Sequence, residues 1–476
     1  MSTGAGGGRG RRTVRLDAFS GADGPVVGEV RADPAAWAVR PPDGFKRRDL
    51  LPSPARPDDW ADPRIGWGLV LPDDPAVPVE ARSRADDAPE PIRALAQARG
   101  GRVLRYGLGA AAGSWTLRDY AGGTDLPVAA SAPGGVPSQL PMYLLLYGTP
   151  AQIPWQLQYH LGPVRHVGRL DLTGDALDRY VTCLLDDWSD AAPRYDAPVV
   201  WAVDHGGGDI TTLMRTTVAE PVAHLLSADS DMPGATYVDG SLVPATTQAL
   251  VDAVVANTPA LVVTSSHGMT GPLSDPVRMA ADLGLPVGAE HQPLRPEDLL
   301  ARWQPDGAVW FAQACCSAGA ESPSAYRGLF EPGSLVDGVL EGVAGVGPCV
   351  APLPRALLGA SRPLRAFIGH VEPTFDWTLA SPENGEPLAA DLQAVLYERL
   401  CLGQPVGLAM ERWYQAIGSL LLGYTRAVST FNASTGEEAA RELDRALSAR
   451  VAAYDRAGTV LLGDPTVRIP VPGPVP

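Results

Sequence analysis

Short apolar runs, each closed by glycine, proline or a polar residue, recur from residue 142 to residue 370 of the chain. They fall at residues 142–148, 198–204, 260–268, 308–317 and 366–370 and are rich in Val, Leu, Ile, Phe and Trp. Runs of this length with no polar alternation predict strands buried on both faces, as in a parallel sheet. Between them the period changes. Residues 176–188 carry Leu177, Tyr180, Val181 and Leu184 at helical spacing, and helices are likewise expected through 212–226 and 248–255. A long amphipathic stretch over 387–455 predicts closing helices. Alternating strands and helices give the α/β class, a sandwich with a mainly parallel central sheet and helices on both sides.

The first 140 residues are patterned differently. Residues 1–12 are glycine-rich and basic, which predicts a disordered N-terminus. Residues 13–140 are rich in Pro, Gly and Asp, with strand-like pieces at 66–71 and 102–106. They predict a loop-rich β or α+β accessory region. Residues 121–141 have the Gly, Pro and Ser content of a linker, so the main domain is expected to span 141–476. No internal repeat of fixed period is present.

Composition narrows the function classes. The net charge of −16 and pI near 4.9 argue against a nucleic-acid footprint. No apolar run approaches the ~18 residues of a membrane span, and Arg9, Arg11 and Arg12 precede no apolar signal segment. Five cysteines, at 183, 315, 316, 349 and 401, form no disulfide-like spacing and fit a reducing cytoplasm. Lys46 is the sole lysine against abundant Arg, Ala, Gly and Pro, the mark of a GC-rich bacterial coding bias rather than of function.

The chemistry concentrates at the ends of two strands. One run ends in Ser266-His267-Gly268, the other in Gln313-Ala314-Cys315-Cys316-Ser317. Reactive side chains of parallel sheets lie at the carboxyl ends of the strands. A histidine and a cysteine delivered to that edge are a thiol nucleophile with its base. The backbone N–H groups of Gly268 and Cys315 are candidate oxyanion donors. Competing readings exist for each residue. Cys316 is an alternative nucleophile, although neighbours on a strand face opposite ways. His205, in Asp204-His205-Gly206, also ends an apolar run, and is read as structural or remote; Asp204 and Asp209 can border the cleft. His370 reads as a structural histidine, and Cys183, Cys349 and Cys401 as core residues. The vicinal cysteines lack zinc-ligand spacing. Gly107-Leu108-Gly109 with Gly113 lacks the strand–helix context of a dinucleotide loop.

The paired blocks resemble the caspase-type cysteine peptidases, a group that includes caspases, metacaspases, gingipains, clostripain, separase and the bacterial CHAT-domain proteases. Gln313-Ala314-Cys315 matches the caspase signature, with the histidine 48 residues upstream. Cys316 and Ser317 depart from that signature and point to a bacterial CHAT or gingipain-like relative. Leu462-Gly463-Asp464-Pro465 and the preceding 403–409 segment are similar to the C-terminal end of such domains. The resemblance covers roughly 140–470.

The resemblance implies a caspase-like α/β/α sandwich and a cysteine endopeptidase, with Cys315 as nucleophile and His267 as general base and acid. Gly268 and Cys315 would form the oxyanion hole. Gln313 would line the pocket for the P1 side chain, and Glu372, Asp376 and Trp377 would contribute to the specificity cleft, an acid there favouring a basic P1 residue. No third catalytic residue is required, and no cofactor, although calcium activates some relatives. The expected partner is a protein or peptide substrate in the cytoplasm, with no nucleic acid and no membrane. The bacterial relatives often act as regulated effectors, some in defence systems. Two alternatives stand beside this reading: a catalytically silent scaffold that binds a regulatory protein through residues 1–140, and a non-peptidase thiol hydrolase or acyltransferase.

Overall fold

The computed structural model describes residues 55–107, 115–381 and 385–471, together with the backbone of two N-terminal strands. Those strands, β1 (Thr13–Leu16) and β2 (Val26–Glu29), pair antiparallel within a unit that covers Met1–Pro54. Residues 1–12 and most of the segment 108–114 glycine motif lie outside the described residues.

The second unit starts at Ala55 and is built on one twelve-stranded sheet. Its strands are β3 (Trp67–Pro72), β4 (Arg102–Tyr106), β5 (Thr116–Asp119), β6 (Thr124–Pro127), β7 (Tyr143–Tyr147), β8 (His166–Leu170), β9 (Val199–Ala202), β10 (Thr236–Asp239), β11 (Leu261–Ser265), β14 (Val309–Gln313), β17 (Ala366–His370) and β18 (Thr459–Gly463). Two small antiparallel pairs sit outside it: β12 (His267–Gly268) with β13 (Pro286–Val287), and β15 (Gly319–Ala320) with β16 (Cys349–Val350). The order across the main sheet is β10-β9-β11-β14-β17-β18-β8-β7-β3-β4-β5-β6.

The sheet is mainly parallel, as the buried runs predict, but it reverses in the middle, at β17–β18, and twice more along the β4-β5-β6 edge. Strands β10, β9, β11, β14 and β17 are parallel to one another, and β18 runs antiparallel to β17. Strands β8, β7, β3 and β4 follow the direction of β18. The carboxyl ends of the two sets therefore open on opposite edges.

Strands on both sides of residue 140 share this sheet, and the break in packing falls at residue 54. The expected linker over 121–141 contains β6, hydrogen-bonded to β5. Its apolar residues explain the difference: Leu126, Val128 and Leu140 join Leu117 on a core with Val70, Leu104, Leu144 and Leu146. The glycines and prolines of the segment shape turns within a packed element.

Helices cover the sheet. Helix Gly174–Leu185 buries Leu177, Tyr180, Val181 and Leu184, the predicted stripe. Helix Thr247–Asn257 is capped by the Thr246 hydroxyl, which accepts the Ala249 N–H at 3.1 Å, and ends at a left-handed Thr258. The predicted 212–226 helix is broken into Ile210–Met214, a π-helical turn at Arg215–Ala219, and Glu220–Ala228. Two long helices, Val406–Ala433 and Gly436–Gly458, lie against each other before the chain returns as β18.

The C-terminal Leu-Gly-Asp-Pro segment is architectural. Asp464 is fully buried and accepts bonds from Trp67 Nε1 (3.2 Å), Arg99 Nη1 (3.0 Å) and Thr466 N (2.9 Å). Pro465 O takes the Gly407 N–H at 2.9 Å, which joins this segment to the start of helix Val406–Ala433.

Candidate active site

Strands β11 and β14 are buried at every position, and they pair in parallel with Leu261 beside Val309 and Ser265 beside Gln313. That register offset is 48 residues, the same separation as His267 from Cys315. Both residues leave the sheet at the same height. The spacing seen in the sequence is thus the strand register itself. Trp310 Nε1 donates to Thr264 Oγ1 at 3.0 Å, while among the described residues the buried Ser265 hydroxyl at the end of β11 has no partner.

After Ser265 the chain bends, the Ser266 N–H donating to Gln313 O at 3.2 Å. His267 and Gly268 then pair with Val287 and Pro286. Gly268 runs against the Cys315 backbone so closely that any Cβ there would strike the Cys315 carbonyl, and only glycine fits. Beyond Cys315 the chain turns through Cys316, which has a left-handed φ of 55°. Ser317 locks this turn: its hydroxyl donates to Ala314 O at 2.9 Å and accepts the His370 N–H at 3.0 Å. The serine that departs from the caspase signature therefore has a local structural task.

The two cysteines differ sharply. Cys316 is fully buried, its N–H donates to Glu372 O at 2.9 Å, and burial pushes its thiol well up. Cys315 is partly exposed. Its sulfur accepts the Thr374 N–H at 3.4 Å and faces Thr374 O at 3.9 Å. Burial raises its pKa to about 11, the Thr374 bond opposing and the Asp455 charge adding. At neutral pH it is a thiol. Among the described residues no hydrogen bond joins it to His267.

His267 has a partner that the sequence reading left unassigned. Its Nε2 meets Asp209 Oδ2 at 3.0 Å, both side chains being about one-third exposed (38% and 32%). The other Asp209 oxygen accepts the Thr211 N–H at 2.9 Å and the Thr211 hydroxyl at 2.6 Å. Burial pushes Asp209 upward, but the Thr211 and His267 bonds outweigh it and bring its pKa to about 2. It is a fixed carboxylate. Nε2 of His267 is therefore the N–H nitrogen, and Nδ1 is left to exchange protons.

The signal for Asp209 was a glycine run. Gly206, Gly207 and Gly208 all have positive φ and carry the chain from the end of β9 back to His267. Asp204 lies beneath this loop, bonded to Thr212 and to Arg215 Nε (2.9 Å). His205 is not remote, as the sequence suggested: its ring stacks on His267, with centroids 5.6 Å apart.

The remaining candidates separate into inward and outward groups. Gln313 is buried, and its Oε1 has no hydrogen-bond partner. Glu372 is buried with its carboxylate turned to the loop after Cys315, accepting the Ala325 N–H at 3.2 Å. Burial raises it to about 7; the Ser324 and Ala325 bonds oppose, and nearby Glu321 adds to the rise. Asp376 and Trp377 are exposed on the following helical turn. Phe375, just before them, anchors that turn, stacking on Phe330 and meeting Tyr326 edge-on. His370 is buried, with Nδ1 3.8 Å from Asp455. Among the described residues no group of three or more His, Cys, Asp or Glu is arranged to hold a metal ion. No helix of those residues is long and apolar enough to cross a membrane.

Among solved structures the chain matches the complex of Porphyromonas gingivalis RgpB pro- and mature domains, at 13% identity over 84% of this chain and 79% of that one, with a TM-score of 0.39. No family model matches the chain, and no curated protein matches it.

Proposed function

We propose that the chain is a caspase-like cysteine endopeptidase. The observation that carries the reading is the register of β11 and β14, which brings His267 and Cys315 off one sheet edge at one height. Asp209 supports it by fixing the His267 tautomer. In this reading Nδ1 of His267 takes the Cys315 proton, and the thiolate attacks the scissile carbonyl. The oxyanion is held by the Gly268 and Cys315 N–H groups. The imidazolium then gives its proton to the leaving amine, and water activated by His267 hydrolyses the thioester. Asp376 and Trp377, exposed beyond β17, are the outward candidates for substrate recognition, with Gln313 and Glu372 lying inside the wall behind them. A protein or peptide substrate follows from this chemistry.

The thiol's present contacts support a regulated enzyme. A neutral Cys315 bonded to Thr374 is closed, and attack requires the 372–377 segment to yield it to His267. The same observation favours the second reading, a silent scaffold in which that segment never opens. Incubation of wild type and Cys315→Ala with a cell lysate, followed by mapping of new N-termini, separates them. Cleavage sites present with wild type and lost by at least about 10³-fold in the variant are expected. Identical termini in both samples would reject the peptidase.

A further inference from the structure

Three of the chain's seven histidines converge from three separate segments into one ladder of rings. His205 arrives from the loop after β9, His267 from β12, and His291 from the loop after β13. The His205 ring lies between the others, 5.6 Å and 16° from His267 and 4.4 Å and 11° from His291. Each segment is separately anchored. The His205 N–H donates to Thr211 Oγ1 at 3.1 Å. His291 holds a left-handed φ of 57° in a turn closed by its N–H to Gly288 O at 2.9 Å. Glu290 beside it accepts the Thr247 N–H at 2.9 Å.

We propose that His205 is a positioning residue for His267: a flat, uncharged plate on the face of the general base that fixes its plane while Asp209 fixes its edge. The proposal rests on the peptidase reading for its catalytic meaning. One hydrogen bond from Nε2 to Asp209 leaves the imidazole free to swing about that bond, and a stacked ring removes the swing. Near-attack geometry is sensitive to such misplacement. The plate must stay neutral, because a cation there would repel the imidazolium formed on His267. The surroundings favour this. Among the described residues His205 Nε2 is buried without a hydrogen-bond partner, and burial, then His291 and His267, hold its pKa below the usual histidine value, Asp209 and Asp204 opposing. Asp204 is engaged by Arg215 and Thr212, and Asp209 by His267 and Thr211, so neither carboxylate is free to bind a charged His205. A neutral ring face also accommodates the imidazolium on His267 by cation–π attraction.

The test combines a resonance and a rate. The full chain labelled at histidine Cε1 is titrated, His267 being assigned by the signal lost in His267→Gln. Fluorescent casein hydrolysis is measured in parallel. His205→Ala should displace the His267 resonance, shift its titration midpoint, and lower kcat about tenfold with KM within about twofold. His205→Phe keeps a plate that carries no proton, and should stay within about threefold of wild-type kcat. An unmoved His267 resonance and midpoint in His205→Ala would overturn the proposal whatever the rates do. So would a His205→Phe rate as low as that of His205→Ala. Should wild type leave every protein uncut, the peptidase reading fails, and the resonance still decides whether His205 orients His267.

Discussion

Two polar clusters stand out in this molecule, and they treat their charges in opposite ways. At the C-terminus, Asp464 is fully buried, with both oxygens engaged by Arg99, Trp67 and Thr466. Arg99 is itself stacked over Trp60 and Trp67. Nothing there is left over to bind or react. At the edge of β11 and β14, Asp209 and His267 are part exposed, His267 keeps one ring nitrogen without a hydrogen bond among the described residues, and the Cys315 sulfur makes only long contacts to the Thr374 backbone. Both clusters carry conspicuous motifs. Complete satisfaction marks the first as architecture, and incomplete satisfaction is what the proposed peptidase reading needs of the second.

Substitution of one aspartate in each cluster breaks the comparison in opposite directions. Asp209→Asn keeps an oxygen for Thr211 but turns an amide N–H₂ toward His267 Nε2. The imidazole must then change tautomer, and Nδ1 can no longer accept the Cys315 proton. Casein hydrolysis should fall on the order of 10³-fold in kcat, with the urea midpoint little changed. A fall in stability that tracks the loss of rate would make Asp209 an architectural residue after all. Asp464→Ala should do the reverse. It strands the Arg99 guanidinium, whose side chain is 8% exposed, and should cost about 3–5 kcal/mol of unfolding free energy. A loss below about 1 kcal/mol in urea titration would mean that Arg99 finds another partner and that Asp464 is not the tie described here.

The sheet and its chemistry were unequally legible. Strands such as β17, predicted at 366–370 and found at Ala366–His370, were readable because full burial leaves an unbroken apolar run. The neighbouring strand ends before His267 and Cys315 were readable because in-register parallel strands convert sequence separation into spatial coincidence. The reversal at β18 was not readable, since a buried strand has the same composition whichever way it runs. Asp209, expected only at the border of the cleft, was left without its His267 bond for a related reason. It sits on a glycine loop beyond β9, 58 residues before His267, and nothing local to the sequence records where three positive-φ glycines will lead. The 121–141 segment misled because turn residues dominate its composition while its few apolar side chains decide its packing.

Glu372 sharpens the comparison, because it stands between the two extremes: buried like Asp464, but with its carbonyl accepting the N–H of Cys316 next to Cys315. Its carboxyl is raised from 4.5 to about 7, chiefly by burial. Below pH 4.5 the group is protonated in both the folded and the unfolded chain, and its contribution to stability is fully present. As pH rises from there the unfolded chain ionises first, and stability falls until the folded group titrates near pH 7. The whole loss is at most about 3–4 kcal/mol, since one pKa unit corresponds to about 1.4 kcal/mol. Glu372→Gln removes the ionisation and keeps an oxygen for the Ala325 N–H. Urea unfolding from pH 4 to pH 8 should therefore give matching stabilities at the acid end and a variant more stable than wild type at the alkaline end. The Glu372 carbonyl accepts the Cys316 N–H beside the thiol, and with the opening of the 372–377 segment proposed above, alkylation of Cys315 should accelerate more steeply with pH in wild type than in the variant. Stability curves that stay parallel across this range would show that Glu372 ionises freely, and that the loop over Cys315 is held by Phe375 and its aromatic neighbours alone.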